Sequence, residues 1–295
     1  MKLEHPLREH ATLEHARGVL SLDRCAVMGI VNRTTDSFYD AGRMELEASV
    51  AHGLDLWRQG ALVLDVGGVK AGPGPEIDEV EELRRVIPLV EGLAARCDAL
   101  LSVETSRVRV AEAAFEAGAA LINDITGLAD DRLAAVCAEH GAGLVLMHNG
   151  GQLRGRPRNP RYADVVAEVL SWWAAAVERA CAAGMRPNQL LLDPGLDFGK
   201  TTYHSLELVR RMDELIAQGL PVLVAPSRKD LVGESLALPP GERLEGSLAV
   251  AAMCVERGVA MVRAHDVLAT GRVVAMVEAV LGRTKPRRAI RGLWE

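Results

Sequence analysis

Aromatic residues are scarce in this chain of 295 residues. Phe, Tyr and Trp together make up only 3% of it, whereas proteins that read single-stranded nucleic acids stack the bases on aromatic side chains. A basic excess is missing as well, because the formal net charge is −6 at pH 7. We therefore expect no nucleic-acid partner.

Cysteine pairs and long hydrophobic runs are also missing from the sequence. The five cysteines are scattered and include no CxxC pair, which favours buried reduced thiols over disulfides or a metal cluster. No apolar run approaches the ~18 residues of a membrane helix. The first residues lack the basic-then-apolar order of a secretion signal. These features predict a cytoplasmic protein with no membrane partner.

What the chain does contain is apolar sequence in a repeating order. Hydrophobic residues make up 49%, and eight short apolar runs alternate with amphipathic stretches. The runs are Cys25–Val31, Ala61–Val66, Ala99–Val103, Ala120–Ile122, Gly143–Met147, Gln189–Leu192, Pro221–Ala225 and Val259–Val262. Such runs are typical of parallel strands that are buried on both faces. Eight units without a GxGxxG motif favour an α/β fold with a single (β/α)8 TIM-type barrel over a doubly wound sheet.

The same repeat predicts the domain organisation. We expect one barrel at residues 25–282, an amino-terminal extension at residues 1–24 and a basic carboxyl-terminal tail at residues 283–295. No internal segment is rich enough in Pro, Gly or Ser to mark a second domain. The chain length agrees, because α/β barrels often exceed 250 residues as one unit.

Polar residues stand at the end of nearly every apolar run. They are Asn32, Asp65, Glu104, Asn123, Asp124, His148, Asp193, Ser227, Arg228, Lys229, Arg263 and His265. A single polar strand end is usually a helix cap or a turn residue. A series of eight, on strands whose carboxyl ends meet at one face of a barrel, indicates a functional site.

These polar residues fall into two chemical groups. Glu104, Asn123 and Asp193 suit a flat heterocycle with an amino-pyrimidinone edge, since a carboxylate can accept two N–H bonds side by side. A polar and cationic group suits a phosphate or another anion, namely Asn32, Lys229, Arg263 and His265. From spacing alone, the prediction is a barrel enzyme that binds a heterocycle and an anion.

Six motifs of the chain resemble those of the dihydropteroate synthase family. They lie at residues 28–38, 122–124, 191–200, 227–229, 243–246 and 263–266. Their order and spacing between about Ala26 and Leu281 identify the chain as a member. The resemblance implies condensation of 4-aminobenzoate with 6-hydroxymethyl-7,8-dihydropterin pyrophosphate in folate biosynthesis, with Mg²⁺ as cofactor. It also implies a homodimer formed near the carboxyl-terminal third, where residues 248–255 are apolar on more than one face.

The resemblance also implies a role for each matching residue. Asn123, Asp193 and Lys229 would bind the pterin, together with Glu104, which stands where the family usually has Asp. Asn32 would face the metal, and Arg263 and His265 would face the pyrophosphate. Ser227 and Phe198 would hold 4-aminobenzoate. Asp36 would stabilise positive charge on the pterin methylene carbon, which makes it a catalytic residue with Lys229, Arg263 and His265.

Two loops depart from the family pattern. Lys70, Ala71 and Gly72 stand where the family has Ser, Thr and Arg, and Thr35 replaces a Pro. The altered loop resembles that of an atypical second paralogue found in actinobacteria. Two functions remain open: a synthase with weakened activity, or a catalytically inactive pterin-binding protein with a regulatory or other role. A methyltetrahydrofolate-dependent methyltransferase on the same barrel is disfavoured, since no corrinoid-binding module is attached.

Overall fold

The computed structural model describes residues 11–32, 40–68, 77–151 and 159–291, with side chains for all of these except 40–44. An antiparallel hairpin of β1 (Thr12–His15) and β2 (Gly18–Ser21) precedes eight parallel strands. The parallel strands are β3 (Ala26–Asn32), β4 (Val63–Gly67), β5 (Leu100–Glu104), β6 (Leu121–Asp124), β7 (Gly143–Met147), β8 (Leu190–Asp193), β9 (Leu223–Val224) and β10 (Met261–Ala264). Their spatial order is β8-β7-β6-β5-β4-β3-β10-β9. A parallel bridge between Leu192 and Val222 joins the two ends, so the predicted (β/α)8 barrel is confirmed.

Helices connect consecutive strands and surround the barrel. They are α1 (Asp40–Arg58), α2 (Glu79–Ala94), α3 (Val108–Glu116), α4 (Arg132–Glu139), α5 (Val165–Ala182), α6 (Thr202–Arg210), α7 (Met212–Ile216), α8 (Asp230–Leu236), α9 (Leu244–Arg257) and α10 (Val267–Val280). Several of these helices begin at a side chain that caps the first turn or end at a glycine. Asp78 caps α2 by accepting from the Glu81 amide at 2.8 Å, and Gly258 ends α9 with a φ of 112°. Among the described helices, none has both the length and the apolar character to span a bilayer.

The amino-terminal half of the barrel interior is apolar. Alternate strand positions contribute Met28, Val63, Leu100, Leu121, Val145, Leu191, Leu223 and Met261. Leu13 on β1 and Leu22, directly after β2, are fully buried against this layer. Glu14 also accepts from Arg186 and Asn188 at the same end. The hairpin therefore covers the amino-terminal mouth of the barrel.

Candidate functional site at the carboxyl ends of the strands

Two residues beyond the apolar layer, five of the eight parallel strands place a polar side chain in the barrel interior. Side chains alternate along a strand, so a residue two positions after an interior residue also faces the interior. The residues that follow the apolar layer in this way are Asp65, Ser102, Asn123, Asp193 and Arg263. The same alternation that fills the core therefore delivers a polar layer to the carboxyl-terminal mouth.

Asp65 is the centre of this polar layer and is fully buried. Its carboxylate accepts from Ser102 Oγ at 2.5 Å, from Asn123 Nδ2 at 2.9 Å and from Arg263 Nε at 2.7 Å. These partners stand on three different strands. Asp65 thus fixes the direction of an amide and a guanidinium, and a buried acid with such partners is costly to disrupt, by about 3–5 kcal/mol.

Glu104 is the second acid beside Arg263. Its Oε2 accepts from Arg263 Nη2 at 2.7 Å, and its backbone lies in register with Asn123 on one side and Gly67 on the other. Burial raises the pKa of Glu104 to about 7, although the charge of Arg263 opposes this shift. Burial alone would lower the pKa of Arg263. The negative charges of Asp65 and Glu104 outweigh the effect of burial, so the pKa of Arg263 is raised.

Asp193, which is buried, and Lys229, which is half-buried, bring opposite charges to the mouth. Asp193 Oδ1 accepts from the Gly195 amide at 2.7 Å, and Lys229 Nζ donates to the Leu196 carbonyl at 2.7 Å. Burial raises the pKa of Asp193 and lowers that of Lys229, while the attraction between the two opposes both shifts. The Lys229 ammonium also lies 4.8 Å from the centre of the Phe198 ring, within cation–π range.

Ser227 and His265 meet at the rim of the mouth. Ser227 Oγ lies 3.1 Å from His265 Nδ1 and accepts from the His265 amide at 3.2 Å. Burial, followed by the charges of Arg263 and Arg228, lowers the pKa of His265 to about 4. This ring is therefore neutral at pH 7 and contributes polarity to the anion side rather than the cationic charge that the sequence suggested.

The segment that carries Ser227 and Lys229 is held by α9. Arg228, between them, has a left-handed φ of 58°. The Arg228 amide donates to Ser247 Oγ at 2.9 Å, and its carbonyl accepts from Arg243 Nη1 at 3.0 Å. Arg243 in turn donates to Asp230 and to the Leu238 carbonyl. These bonds stabilise a backbone conformation that a side chain other than Gly rarely adopts.

Comparisons with known proteins agree with this geometry. The model of the pterin-binding enzyme family matches residues 28–265. The chain is 48% identical to inactive dihydropteroate synthase 2 of Mycobacterium leprae, over 93% of this chain and 97% of the relative. It is 40% identical to dihydropteroate synthase of Escherichia coli, over 91% of this chain and 96% of the relative. The chain belongs to the dihydropteroate synthase family.

A solved member of this family carries a ligand. Dihydropteroate synthase of Xanthomonas albilineans in complex with 7,8-dihydropteroate superposes with a TM-score of 0.81 at 38% identity, over 92% of this chain and 98% of that one. The family assignment, the barrel and the identity of this chain as a dihydropteroate synthase-family pterin-binding protein are therefore established.

The positions expected from the family fall into three sets in this chain: residues that contact one another, the exposed Asn32, and residues outside the described ranges. Direct contacts join Arg263 to Glu104 and, through Asp65, to Asn123, while other contacts pair Lys229 with Phe198 and Ser227 with His265. Asn32 is exposed at the end of β3, in register with Gly67. Asp36, Thr35 and the altered second loop with Lys70 lie outside the described residues.

Lys200 is a buried basic residue that was not predicted as a site residue, although it lies in the family-like motif at residues 191–200. Lys200 Nζ donates to the carbonyls of His148, Gly195 and Phe198 and lies 2.8 Å from His148 Nδ1. Burial lowers the pKa of Lys200 to about 7. The signal in the sequence was a lysine that follows a Phe-Gly pair directly after the sixth strand, but only backbone positions reveal its three carbonyl partners.

Proposed function

We propose that the carboxyl-terminal mouth binds 6-hydroxymethyl-7,8-dihydropterin pyrophosphate and 4-aminobenzoate, and that synthase turnover is slow compared with binding. The observation that carries this proposal is the polar layer around Asp65, in which buried carboxylates and the Asn123 amide lie in one mouth with the largely buried Arg263. A structural role alone does not account for so many buried charges, because each is expensive to desolvate.

The pterin ring is assigned to the inner part of this layer. Asp193 would accept from the amino-pyrimidinone edge, and Asn123, oriented by Asp65, would present its amide oxygen to the same ring. Lys229 would donate to a ring acceptor when it leaves the Leu196 carbonyl. Glu104 would border the ring on the side of Arg263. The buried position of these groups strengthens each bond to a bound heterocycle.

The pyrophosphate is assigned to Arg263 in the polar layer, together with Asn32 and His265. The described residues contain no group of three or more His, Cys, Asp or Glu that could hold a metal alone. Mg²⁺ commonly binds through one or two protein oxygens together with substrate phosphates and water, so the Asn32 amide oxygen fits an ion that arrives with the pyrophosphate. When bound, Mg²⁺ would neutralise charge that develops on the departing pyrophosphate.

The reaction itself needs little from the protein beyond position and charge. The C–O bond between the pterin methylene carbon and the pyrophosphate breaks, and the aniline nitrogen of 4-aminobenzoate forms the new C–N bond and then loses a proton. Arg263 and His265 would bind the leaving group, and Asp36 would offset positive charge on the methylene carbon. Ser227 and Phe198 would hold 4-aminobenzoate beside that carbon.

Slow turnover is proposed because the second loop has Lys70, Ala71 and Gly72 in place of two hydroxyl residues and an Arg. A donor aimed at developing charge is typically worth about 10²–10³ in kcat, and an Arg on departing phosphoryl charge about 10³–10⁵. The alternative is a paralogue without synthase activity and with another role. Its support is the 48% identity to a Mycobacterium leprae protein named inactive dihydropteroate synthase 2.

One assay separates these functions. Purified protein is mixed with both substrates and Mg²⁺, and pyrophosphate release is measured beside calorimetric binding of the pterin pyrophosphate. We expect binding with turnover well below the usual range of about 1–10³ s⁻¹. The triple change Lys70→Ser, Ala71→Thr and Gly72→Arg should raise turnover more than affinity. Ordinary turnover in the native protein would refute slow turnover, and no gain in the triple variant would favour the inactive paralogue.

A further inference from the structure

Two carboxylates share one guanidinium at the heart of the mouth. Arg263 extends from β10 toward β4 and β5. Its Nε donates to Asp65 on β4 and its Nη2 donates to Glu104 on β5, both at 2.7 Å. All three side chains are largely or wholly shielded from solvent. The positive charge of Arg263 is therefore already matched inside the protein before any anionic ligand arrives.

The length of Glu104 makes this arrangement possible. An Asp at the same backbone position would end one C–C bond, about 1.5 Å, short of the Glu carboxylate. The backbone cannot easily follow, since β5 is held in parallel register between β4 and β6. A direct bond of 2.7 Å to Arg263 thus depends on the Glu that this chain has in place of the usual Asp.

We propose that Glu104 sets the ligand preference of the mouth, favouring a pterin that lacks the pyrophosphate over the same pterin that carries it. This inference rests on the proposed function, because it assumes that the pterin binds here. A pyrophosphate oxygen that approaches Arg263 meets Asp65 and Glu104 at the same guanidinium. The ester must displace Glu104 or accept their repulsion, whereas the uncharged pterin alcohol meets neither cost.

The ionisation of Glu104 gives the preference a pH dependence. The charged groups that face it are Arg263 on β10, Asp65 on β4, Lys229 after β9 and Glu82 on α2. Burial raises the pKa of Glu104 to about 7, so acidification through this range removes its charge and frees Arg263 for an anion. Affinity for the pyrophosphate ester relative to the alcohol should therefore rise as the pH falls below 7.

The test measures the two affinities and compares their ratio. Calorimetry at fixed Mg²⁺ and pH 7.5 gives the Kd of 6-hydroxymethyl-7,8-dihydropterin and of its pyrophosphate ester. Glu104→Asp shortens the reach, and Glu104→Gln removes the charge at constant size. We expect both variants to shift the ratio toward the ester by about tenfold or more, the worth of one charge-assisted hydrogen bond. In Glu104→Gln, the part of the pH dependence of the ratio that comes from the ionisation of Glu104 should also disappear.

Glu278→Gln is the matched control. Glu278 is also a buried acid near an arginine, Arg283, but it stands on α10 beside the Cys25 amide and is not among the charged groups that face Glu104. This variant should leave the ratio unchanged. An unchanged ratio in both Glu104 variants would overturn the inference, as would loss of both ligands, which would make Glu104 a pterin ligand instead. If neither ligand binds the native protein, the proposed function itself fails.

Discussion

Lys200 Nζ lies 2.8 Å from Nδ1 of His148, and both side chains are buried. Lys200 Nζ also donates to the carbonyls of His148, Gly195 and Phe198, which match the three N–H groups of an ammonium, so it ties the chain after β7 to the chain after β8.

Replacing Lys200 should therefore destabilise the protein. In Lys200→Met the apolar stem remains, but three buried carbonyls lose a donor, at about 1–3 kcal/mol for a group left unpaired. We expect the free energy of unfolding to fall by about 3 kcal/mol or more in urea titrations. Lys285→Met, at an exposed position in the tail, should change it by less than about 0.5 kcal/mol. Equal stability of Lys200→Met and the native protein would show that water replaces the ammonium.

Two histidines, His148, which is buried, and His265, which is half-buried, should make folding sensitive to acid. Burial, then the charge of Lys200, lowers the pKa of His148 from 6.5 to about 3, and the pKa of His265 falls to about 4. Both rings gain a proton on unfolding, so stability is full above about pH 6.5 and declines as the pH falls toward 4 and then 3. His148→Gln keeps an acceptor for Lys200 but cannot titrate. Its unfolding should take up about one proton fewer in this window, and identical slopes for the two proteins would contradict the pKa of His148.

Gly233 leaves the space that Arg243 occupies. A Cβ at this position would lie 2.1 Å from Arg243 Cζ, so Gly233→Ala must displace the guanidinium from the Arg228 carbonyl and Asp230. We expect a loss of about 2–4 kcal/mol in stability, with weaker pterin binding because Lys229 follows the strained Arg228. In a double-mutant cycle, Gly233→Ala should cost little once Arg243→Ala is present.

The control for this pair is Gly241→Ala. A Cβ at Gly241 meets nothing within 4 Å, so stability and pterin affinity should stay close to native values. Additive effects of Gly233→Ala and Arg243→Ala would mean that the glycine acts on something other than the guanidinium.

Asp193 is expected to be needed for pterin affinity. Asp193→Ala leaves ligand N–H groups without an acceptor and should weaken binding by roughly 1–3 kcal/mol or more in calorimetry. Because Asp193 also accepts from the Gly195 amide, Asp193→Asn is the useful partner variant: its oxygen keeps that bond while its NH₂ opposes the ligand donors. Both variants should bind weakly, with Asn closer to native stability. Native affinity in both would move the pterin elsewhere.

A dimer surface is expected on α10. Leu268, Met276 and Val280 lie on one stripe of this helix, at spacings of eight and four residues, and all are exposed. We expect the native protein to have a dimeric mass in light scattering, and Met276→Glu with Val280→Glu to give monomers. Val19→Glu changes an equally exposed residue on β2 and should leave the dimer intact. A monomeric native protein would end this proposal.

The sequence predicted the strands better than the connections between them. Gly143–Met147 has the predicted bounds, because a continuous apolar run marks a strand that is buried on both faces. The apolar runs do not locate the short helix α8, which Pro239 and Pro240 separate from α9. Other strand ends moved by one or two residues, since ladder pairing continues into polar residues such as Glu104 and Asp193.

The site was predictable as a location but not as a network. Strand ends of a barrel converge whatever their sequence, so the face was accessible from the pattern alone. Which polar residues contact each other depends on register and side-chain length across distant strands. The sharing of Arg263 by Asp65 and Glu104 joins positions up to 198 residues apart, and the sequence pattern carries no such pairing.

The joint between β8 and β9 borders the carboxyl-terminal mouth. In the described chain, β8 meets β9 through the single bridge of Leu192 and Val222, whereas the other neighbouring strands share two or more pairs. Asp193 stands on one side of this joint and Lys229 on the other. A ligand bound by both Asp193 and Lys229 would stabilise the contact between β8 and β9. Ligand binding and local opening of the barrel at this contact are then coupled equilibria. Deuterium exchange at the Leu192 amide, which donates to the Pro221 carbonyl across this joint, would then register the ligand without any turnover.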